Sequence, residues 1–310
     1  MTDLTNPIYN DETAARKHLE AIRWADGVSC PFCGGLDKVS ELGGKAADGW
    51  YHCGDCRKKF TVRVGSVYER SHIPLHKWVL ATHLMTASKK GISAHQLHRM
   101  LGITYKSAWF MAHRIREAMR PINPTEPMGG RGKIVEADET YIGGKEKNKH
   151  VGQRKRGNIG GKGKEVAFAL VERGGKVRSF HVADVSAKTL RPVLVQQISR
   201  KSSLMTDDAG QYRHMGEEFF RHEVVNHGIN EYVRGNAHTN TIEGYFSILK
   251  RGITGTYHHV SAEHLKRYLG EFDFRYNNRT ALKVDDDMLA IEAIKGAEGK
   301  RLTYRRTNAA

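Results

Sequence analysis

Two cysteine pairs constrain this chain more than any other feature. Cys30-x2-Cys33 and Cys53-x2-Cys56 contain all four cysteines of the 310 residues, with nineteen residues between the pairs. A C-x-x-C turn aims two thiolates at one ion, and two such turns supply the four sulfurs of a closed tetrahedral zinc site. Gly34 and Gly54, each directly after a cysteine, ease the tight backbone there. The spacing therefore predicts a small ribbon folded around structural zinc, because its own apolar content is too small to hold it. Disulfides are the poorer reading. The opening MTDLTNPIYNDETAARKHLE is polar and mixed in charge, unlike a secretion signal, so reduced thiols in a cytosolic protein are expected.

The balance of charge points to a partner. Fifty Lys and Arg against thirty-four Asp and Glu leave a net charge of +16, which favours a polyanion and above all nucleic acid. No apolar run reaches the roughly 18 residues that would suggest a membrane span. A helix is expected over 11–24, and the alternation around Tyr51, Phe60, Val62 and Val64 reads as short strands. Three helical stretches follow at 75–88, 93–100 and 104–119, with Ser93 and Thr104 as N-caps and Gly91 and Gly102 at the breaks. Such a trio fits a helix-turn-helix whose last helix reads DNA. That helix would expose Thr104, Tyr105, Lys106, Ser107, Arg114 and Arg116, while Trp109, Ile115 and Met119 turn inward with Leu97 and Leu101. Pro121, Pro124, Pro127 and the run MGGRGK mark a domain boundary near 125.

From residue 133 the pattern changes to strands. KIVEADETYIGG, EVAFALVERGG and KVRSFHVADVS read as an antiparallel meander, followed by a helix with Pro192 in its first turn. The strands SLMTDD and HEVVNH and a mostly helical C-terminal part complete a mixed α/β domain. Between the first two strands, 143–165 holds eight Lys or Arg, Arg154, Lys155 and Arg156 among them, against one internal Glu. It reads as a mobile basic loop, either a solvated excursion or a contact to DNA phosphate.

An acidic set lies on this domain. Asp138 sits mid-strand, where a buried carboxylate needs a cation. Asp207 ends the next isolated strand with Asp208 beside it, and Glu243, separated from Asp207 by 35 residues, lies on a helix beginning near Asn240. Oxygen ligands from two strands and a helix suit Mg2+ or Mn2+, and two such ions can drive phosphodiester chemistry. Surface acids are the ordinary alternative for so loose a pattern.

VEADETYIGG, LMTDDAGQY and HTNTIEGYFSILKRGITGTYHHVSAEHLKRYLGEFDFRYNNR resemble the DDE insertion-sequence transposases of the ISXO-type group, as do RWADGVSCPFCGG and YHCGDCRKKFTVRVGSV of its zinc ribbon. The resemblance spans about 18–285. It implies an RNase H-like mixed sheet with flanking helices, two catalytic Mg2+ or Mn2+ ions, and a bacterial, nucleoid-associated cytoplasmic protein. Its partners would be the terminal inverted repeats and target DNA, and two element ends imply at least a homodimer. Asp138 and Asp207 match the first two catalytic acids. Members carry either Glu or Asn at the third; Glu243 has the better spacing, and Asn240, one turn earlier on the same face, is the alternative. Lys250 lies two turns beyond Glu243 and, with Arg251, is expected to meet DNA.

The expected organisation is a helix and ribbon over 1–66, a helix-turn-helix-like segment over 67–125, a catalytic domain over 126–290 and a polar tail over 291–310. In the C-terminal part, Arg251, Lys266, Arg267, Arg275 and Arg279 read as a DNA-facing stripe beside Tyr257, Tyr268, Phe274 and Tyr276. His238, His258 and His259 read as structural or surface residues. Two competing functions remain: a DNA-binding regulator without catalysis, and a metal-dependent nuclease that cuts without joining.

Overall fold

The structure is a computed structural model that describes residues 3–44, 47–121, 126–144, 150–153, 161, 163–229, 231 and 233–303. The chain divides into two compact units, residues 1–122 with 278–310, and residues 123–277. Among the described residues no helix is long and apolar enough to cross a membrane.

The first unit begins with α1 (Glu12–Arg23), capped by the Asp11 side chain on Ala14 N–H. Three short antiparallel strands follow, β1 (Val39–Glu41), β2 (Tyr51–Cys53) and β3 (Lys59–Phe60). Val62 and Val64, expected to extend the last strand, lie beyond it. Three rings form the small core here: Trp24 meets Tyr51 edge-on at 5.1 Å, and Tyr51 stacks on Phe60 at 5.7 Å.

The helices α2 (Leu75–Ala87), α3 (Ala94–Leu101) and α4 (Tyr105–Met119) lie where the punctuation placed them. Ser93 and Gln96 form a reciprocal capping box, and the Thr104 side chain accepts from Ser107 N–H. Gly102 ends α3 at φ 59°, a left-handed turn that a side chain would strain. Leu97, Leu101, Ile115 and Met119 are buried between the helices.

The basic residues of α4 divide. Lys106 is exposed near the helix start. Arg114 and Arg116, expected to face DNA, are only 8% and 2% exposed. The Arg114 guanidinium donates to the carbonyls of Val67 (2.9 Å), Glu69 (3.0 Å) and Leu302 (3.2 Å), so it joins three segments of its own unit. Its planar fork of donors suits that task.

The larger correction lies at the C-terminus. Residues 278–303 do not complete the α/β unit or form a loose tail; they pack with the first unit. There α8 (Asp286–Lys295) lies against α1, α2 and α4, burying Leu289, Ala290, Ala293 and Ile294. Asp285 caps it on Met288 N–H, so the acidic run that was expected within the catalytic domain starts a helix of the first unit. Lys300 then donates to the carbonyls of Ala118 (3.0 Å) and Arg120, capping the end of α4.

The second unit holds β4 (Ile134–Ile142), β5 (Glu165–Glu172), β6 (Val177–Val182), α5 (Ala187–Gln197), β7 (Ser203–Asp207), β8 (Arg221–Val225), α6 (Asn240–Gly252) and α7 (Ala262–Asn277). The sheet order is β6-β5-β4-β7-β8; the first three strands are the expected antiparallel meander, while β7 and β8 run parallel to β4. This is a mixed α/β sheet of the RNase H-like kind. Pro192 sits inside α5 rather than in its first turn.

Helices cover both faces. Val135, Ala137, Phe168, Leu170 and Leu204 pack with Leu190 and Leu194 of α5. Ala167, Ala169, Val171 and Val177 pack on the other face with Ile242, Tyr245 and Leu249 of α6 and Leu265 and Phe272 of α7. Side chains alternate along a strand, so Asp138, registered opposite Ala169, lies on the face that α6 and α7 cover.

Gly296, just after α8, tests the corrected boundary. A Cβ there would stand 2.2 Å from the backbone oxygen of Ala118. Gly296→Ala is expected to destabilise the first unit by about 1–3 kcal/mol, read as an earlier denaturant transition. An unchanged transition would mean that this segment does not pack on α4.

Candidate active site and metal centre

The four thiols of the ribbon form one cluster. All four Sγ atoms lie within 4.8 Å of one another, with Cys30–Cys56 and Cys33–Cys53 each at 3.6 Å. Zinc bonded to four sulfurs in a tetrahedron requires S···S separations of about 3.8 Å, so the residues fit the ion. Each knuckle is shaped by its backbone: Gly34 N–H donates to Cys30 O, and Cys53 N–H to Lys58 O. Burial opposes the Cys30 thiolate, but N–H groups of Phe32 and Cys33 and the neighbouring thiols outweigh it and bring its pKa down to about 7.

The acidic set is positioned by the sheet. Parallel pairing of β4 with β7 aligns Ile134 with Ser203 and Glu136 with Met205. Continued by two residues, that register sets Asp138 abreast of Asp207, the last residue of β7, on the same face. Glu243 lies in the first turn of α6, which packs on that face. Asp138 registers all three neighbours. Burial first, then the charges of Glu139, Asp207 and Glu243, push its pKa up to about 8, against the Glu139 N–H that donates to its Oδ1 at 2.7 Å. A carboxyl held up by burial and like charges is what a divalent cation relieves, so this donor set fits a hard metal. The three acids are spread more widely than the thiols: among the described residues, only the cysteines form a group of three or more ligands drawn together for one ion.

Asn240 is the first residue of α6 and exposed. Lys250 and Arg251, in the last turn, are exposed, and Arg251 Nε also donates to Ser247 O at 3.2 Å. Arg275, expected on the basic stripe, is instead 8% exposed and paired with Glu271. The calls on Arg154, Lys155 and Arg156 lie outside the described residues.

Two residues of the site escaped the sequence reading, Glu136 and Glu139, which flank Asp138 on the same strand. Glu136 is completely buried beneath the start of α6. Glu139 points to the α5 face, where Tyr212 OH donates to it at 2.6 Å and Gln211 at 2.9 Å. Their signal was present: acids alternating with apolar residues in VEADE leave charges on both buried faces of one strand.

Residues 129–277 match the ISXO2-like transposase domain, and residues 10–59 the transposase zinc-ribbon domain. A protein in transposable element ISH50 of Halobacterium salinarum is 31% identical over 277 residues, 85% of this chain and 90% of that relative. The chain belongs to the ISXO2-like transposase family. A transposase-like protein of Haemophilus influenzae is 26% identical over 103 residues, 33% of this chain and 82% of its own. Among solved structures, a chain of the simian T-cell lymphotropic virus intasome in complex with PP2A regulatory subunit B56 gamma aligns with 57% of this chain and 67% of its own. Its identity is 14% and its TM-score 0.27.

Two outcomes are expected of this family member. A zinc-selective chelator should remove a single zinc ion per chain and unfold β1–β3, because the three-ring core is too small to hold the ribbon without the metal; a ribbon that keeps its protection from hydrogen exchange after chelation would contradict this. Asp138 gives a pH test. Unfolded, it loses its proton near pH 3.8, but in the fold it keeps it to about pH 8, so its presence costs stability as pH rises through that window. Asp138→Asn should therefore match wild type near pH 4 and exceed it by a few kcal/mol at pH 8 without added divalent metal, measured by denaturant titration.

Proposed function

We propose that the chain is an active DDE transposase that binds the terminal inverted repeats of its element, cleaves the 3′ ends and joins them to target DNA. The observation that carries this reading is the convergence on Asp138 of the fields of Asp207 and Glu243, from two parallel strands and a helix start. Mg2+ or Mn2+ held by these three carboxylates supplies Lewis-acid activation of the attacking and leaving oxygens.

The chemistry divides into two in-line substitutions at phosphorus. Water attacks the phosphodiester at the element end, forming one P–O bond as the bond to the 3′ oxygen breaks. The freed 3′-hydroxyl then attacks a target phosphodiester, again forming one P–O bond and breaking one. No covalent intermediate with the protein is needed. The residues of the chain bind and orient. Lys250, two turns from Glu243 on one side of α6, offers a cation to the DNA backbone, with Arg251 beside it. In the first unit, Tyr105 and Lys106 at the exposed start of α4 offer base and phosphate contacts, and the His95 ring stacked on Tyr105 at 4.3 Å steadies that edge. Two element ends must be held together, so the working form is at least a dimer on DNA.

Labelled element-end DNA with a target plasmid and Mn2+ tests the reading. Wild type should give both cleaved ends and joined products. Asp138→Ala and Glu243→Ala should each lose more than about 100-fold, whereas Asn240→Ala should stay within about tenfold of wild type. Joining by Asp138→Ala at the wild-type rate would exclude the carboxylate site. Cleavage without joining would favour a nuclease, and DNA binding without cleavage a regulator.

A further inference from the structure

We propose that Glu136 and Glu139 are positioning residues: from opposite faces of β4, Glu136 fixes the limb that carries Glu243 and Glu139 the limb that carries Asp207. The proposal rests on the reading of Asp138, Asp207 and Glu243 as metal-binding carboxylates.

Glu136 acts through the start of α6. One of its oxygens accepts from Arg173 Nε at 2.6 Å and Thr241 Oγ1 at 2.9 Å, and the other from the backbone N–H of Ile242 at 2.9 Å. A helix start has unsatisfied N–H groups that a side chain at the cap position usually takes. Thr239 holds that position but makes no capping bond; its hydroxyl donates to Glu243 Oε1 at 3.2 Å instead. The cap therefore comes from the sheet. A carboxylate two residues from Asp138 receives the helix that delivers Glu243, and its negative charge suits the positive end of the helix dipole. Arg173 reinforces the joint by donating also to the carbonyls of Asn236 and His238, each at 2.8 Å, so the segment entering α6 is tied to the same group. His238 Nδ1 lies 3.4 Å from that carboxylate.

Glu139 acts through the turn after β7. Its two oxygens take Gln211 Nε2 and Tyr212 OH, from a single helical turn at Gly210–Tyr212. Tyr212 is buried in the α5-side core, so the turn cannot slide without leaving that core. The same segment holds Asp207, whose Oδ1 accepts Ala209 N–H at 3.2 Å. Both oxygens of Glu136 and both of Glu139 are engaged in protein hydrogen bonds, which assigns them to bracing and leaves ligation to Asp138. Such supporting partners typically change metal affinity by 10–100-fold when lost.

The test uses the full chain and Mn2+ as probe, with binding followed by electron paramagnetic resonance and the Mn2+ concentration for half-maximal end cleavage measured in parallel. Glu136→Gln must turn an amide N–H toward Arg173, Thr241 or Ile242, and Glu139→Gln toward Tyr212 or Gln211. Each should weaken Mn2+ binding by about tenfold or more and raise the half-maximal Mn2+ concentration correspondingly, with cleavage recovering at high Mn2+. Thr241→Val removes one donor to Glu136 and should show the same signature more mildly, even where Glu136→Gln folds poorly. Leu97→Ala is the control for stability alone: it removes a fully buried side chain from α3, in the first unit, which holds none of the acids. It should lower Tm without moving Mn2+ affinity. Variants Glu136→Gln, Glu139→Gln and Thr241→Val that lose Tm yet bind Mn2+ like wild type would overturn the proposal. Wild type that binds Mn2+ no better than Asp138→Ala would overturn the metal reading itself, and the proposal with it.

Discussion

The parallel pairing of β4 with β7 is the interaction on which the candidate site depends. With Glu136 opposite Met205, the next outward-facing position on each strand is an aspartate, and both look toward α6. Side chains alternate in a strand, so a slip of one residue would move Asp207 to the face that Leu204 and α5 occupy. Apolar packing on both faces makes that slip costly, and the register is thereby secured by the core rather than by the acids. The carboxyl ends of parallel strands are where α/β sheets open a crevice for ligands, and the site lies at such an end.

Two carboxylates on β4, Glu136 buried and Asp138 half-buried, illustrate how environment separates a brace from a proposed ligand. Glu136 is fully buried but meets a guanidinium, a hydroxyl and a helix N–H, so its charge is satisfied within the protein. Asp138 meets mainly like charges and one backbone N–H, and its pKa rises to about 8. The same residue class, two positions apart on one face, is thus prepared for different work. In the first unit, the cysteine knuckles supplement a three-ring core in the ribbon, and the C-terminal helix packs on α2 and α4 of the three-helix segment. Whatever that segment binds, its shape depends on residues nearly two hundred positions away, as the bond from Arg114 to Leu302 shows.

Much of this was legible in the sequence because it is local. Ser93 and Thr104 announced their helices, the cysteine spacing announced the cluster, and period-two alternation gave the strand faces. Spacing and resemblance singled out Asp138, Asp207 and Glu243 as candidates. What was not legible is what covers each face. Periodicity groups Arg114 with its helix neighbours but does not reveal that a returning segment buries it. Glu136 could be seen as a charge in an apolar strand, but its partners Arg173 and Thr241 lie 37 and 105 residues away. The acidic run before α8 concealed a helix whose apolar side completes the other unit.

The central claim, that Asp138, Asp207 and Glu243 share bound metal, has a direct physical test. Fe2+ substituted for Mg2+ in the presence of ascorbate and peroxide generates hydroxyl radicals that cut the chain beside the ion. The full-length protein should be cut at three separate places, near residues 138, 207 and 243, with all three cuts suppressed by excess Mg2+ and lost together in Asp138→Ala. Cuts confined to one of these segments, or three cuts that persist in Asp138→Ala, would contradict a shared site.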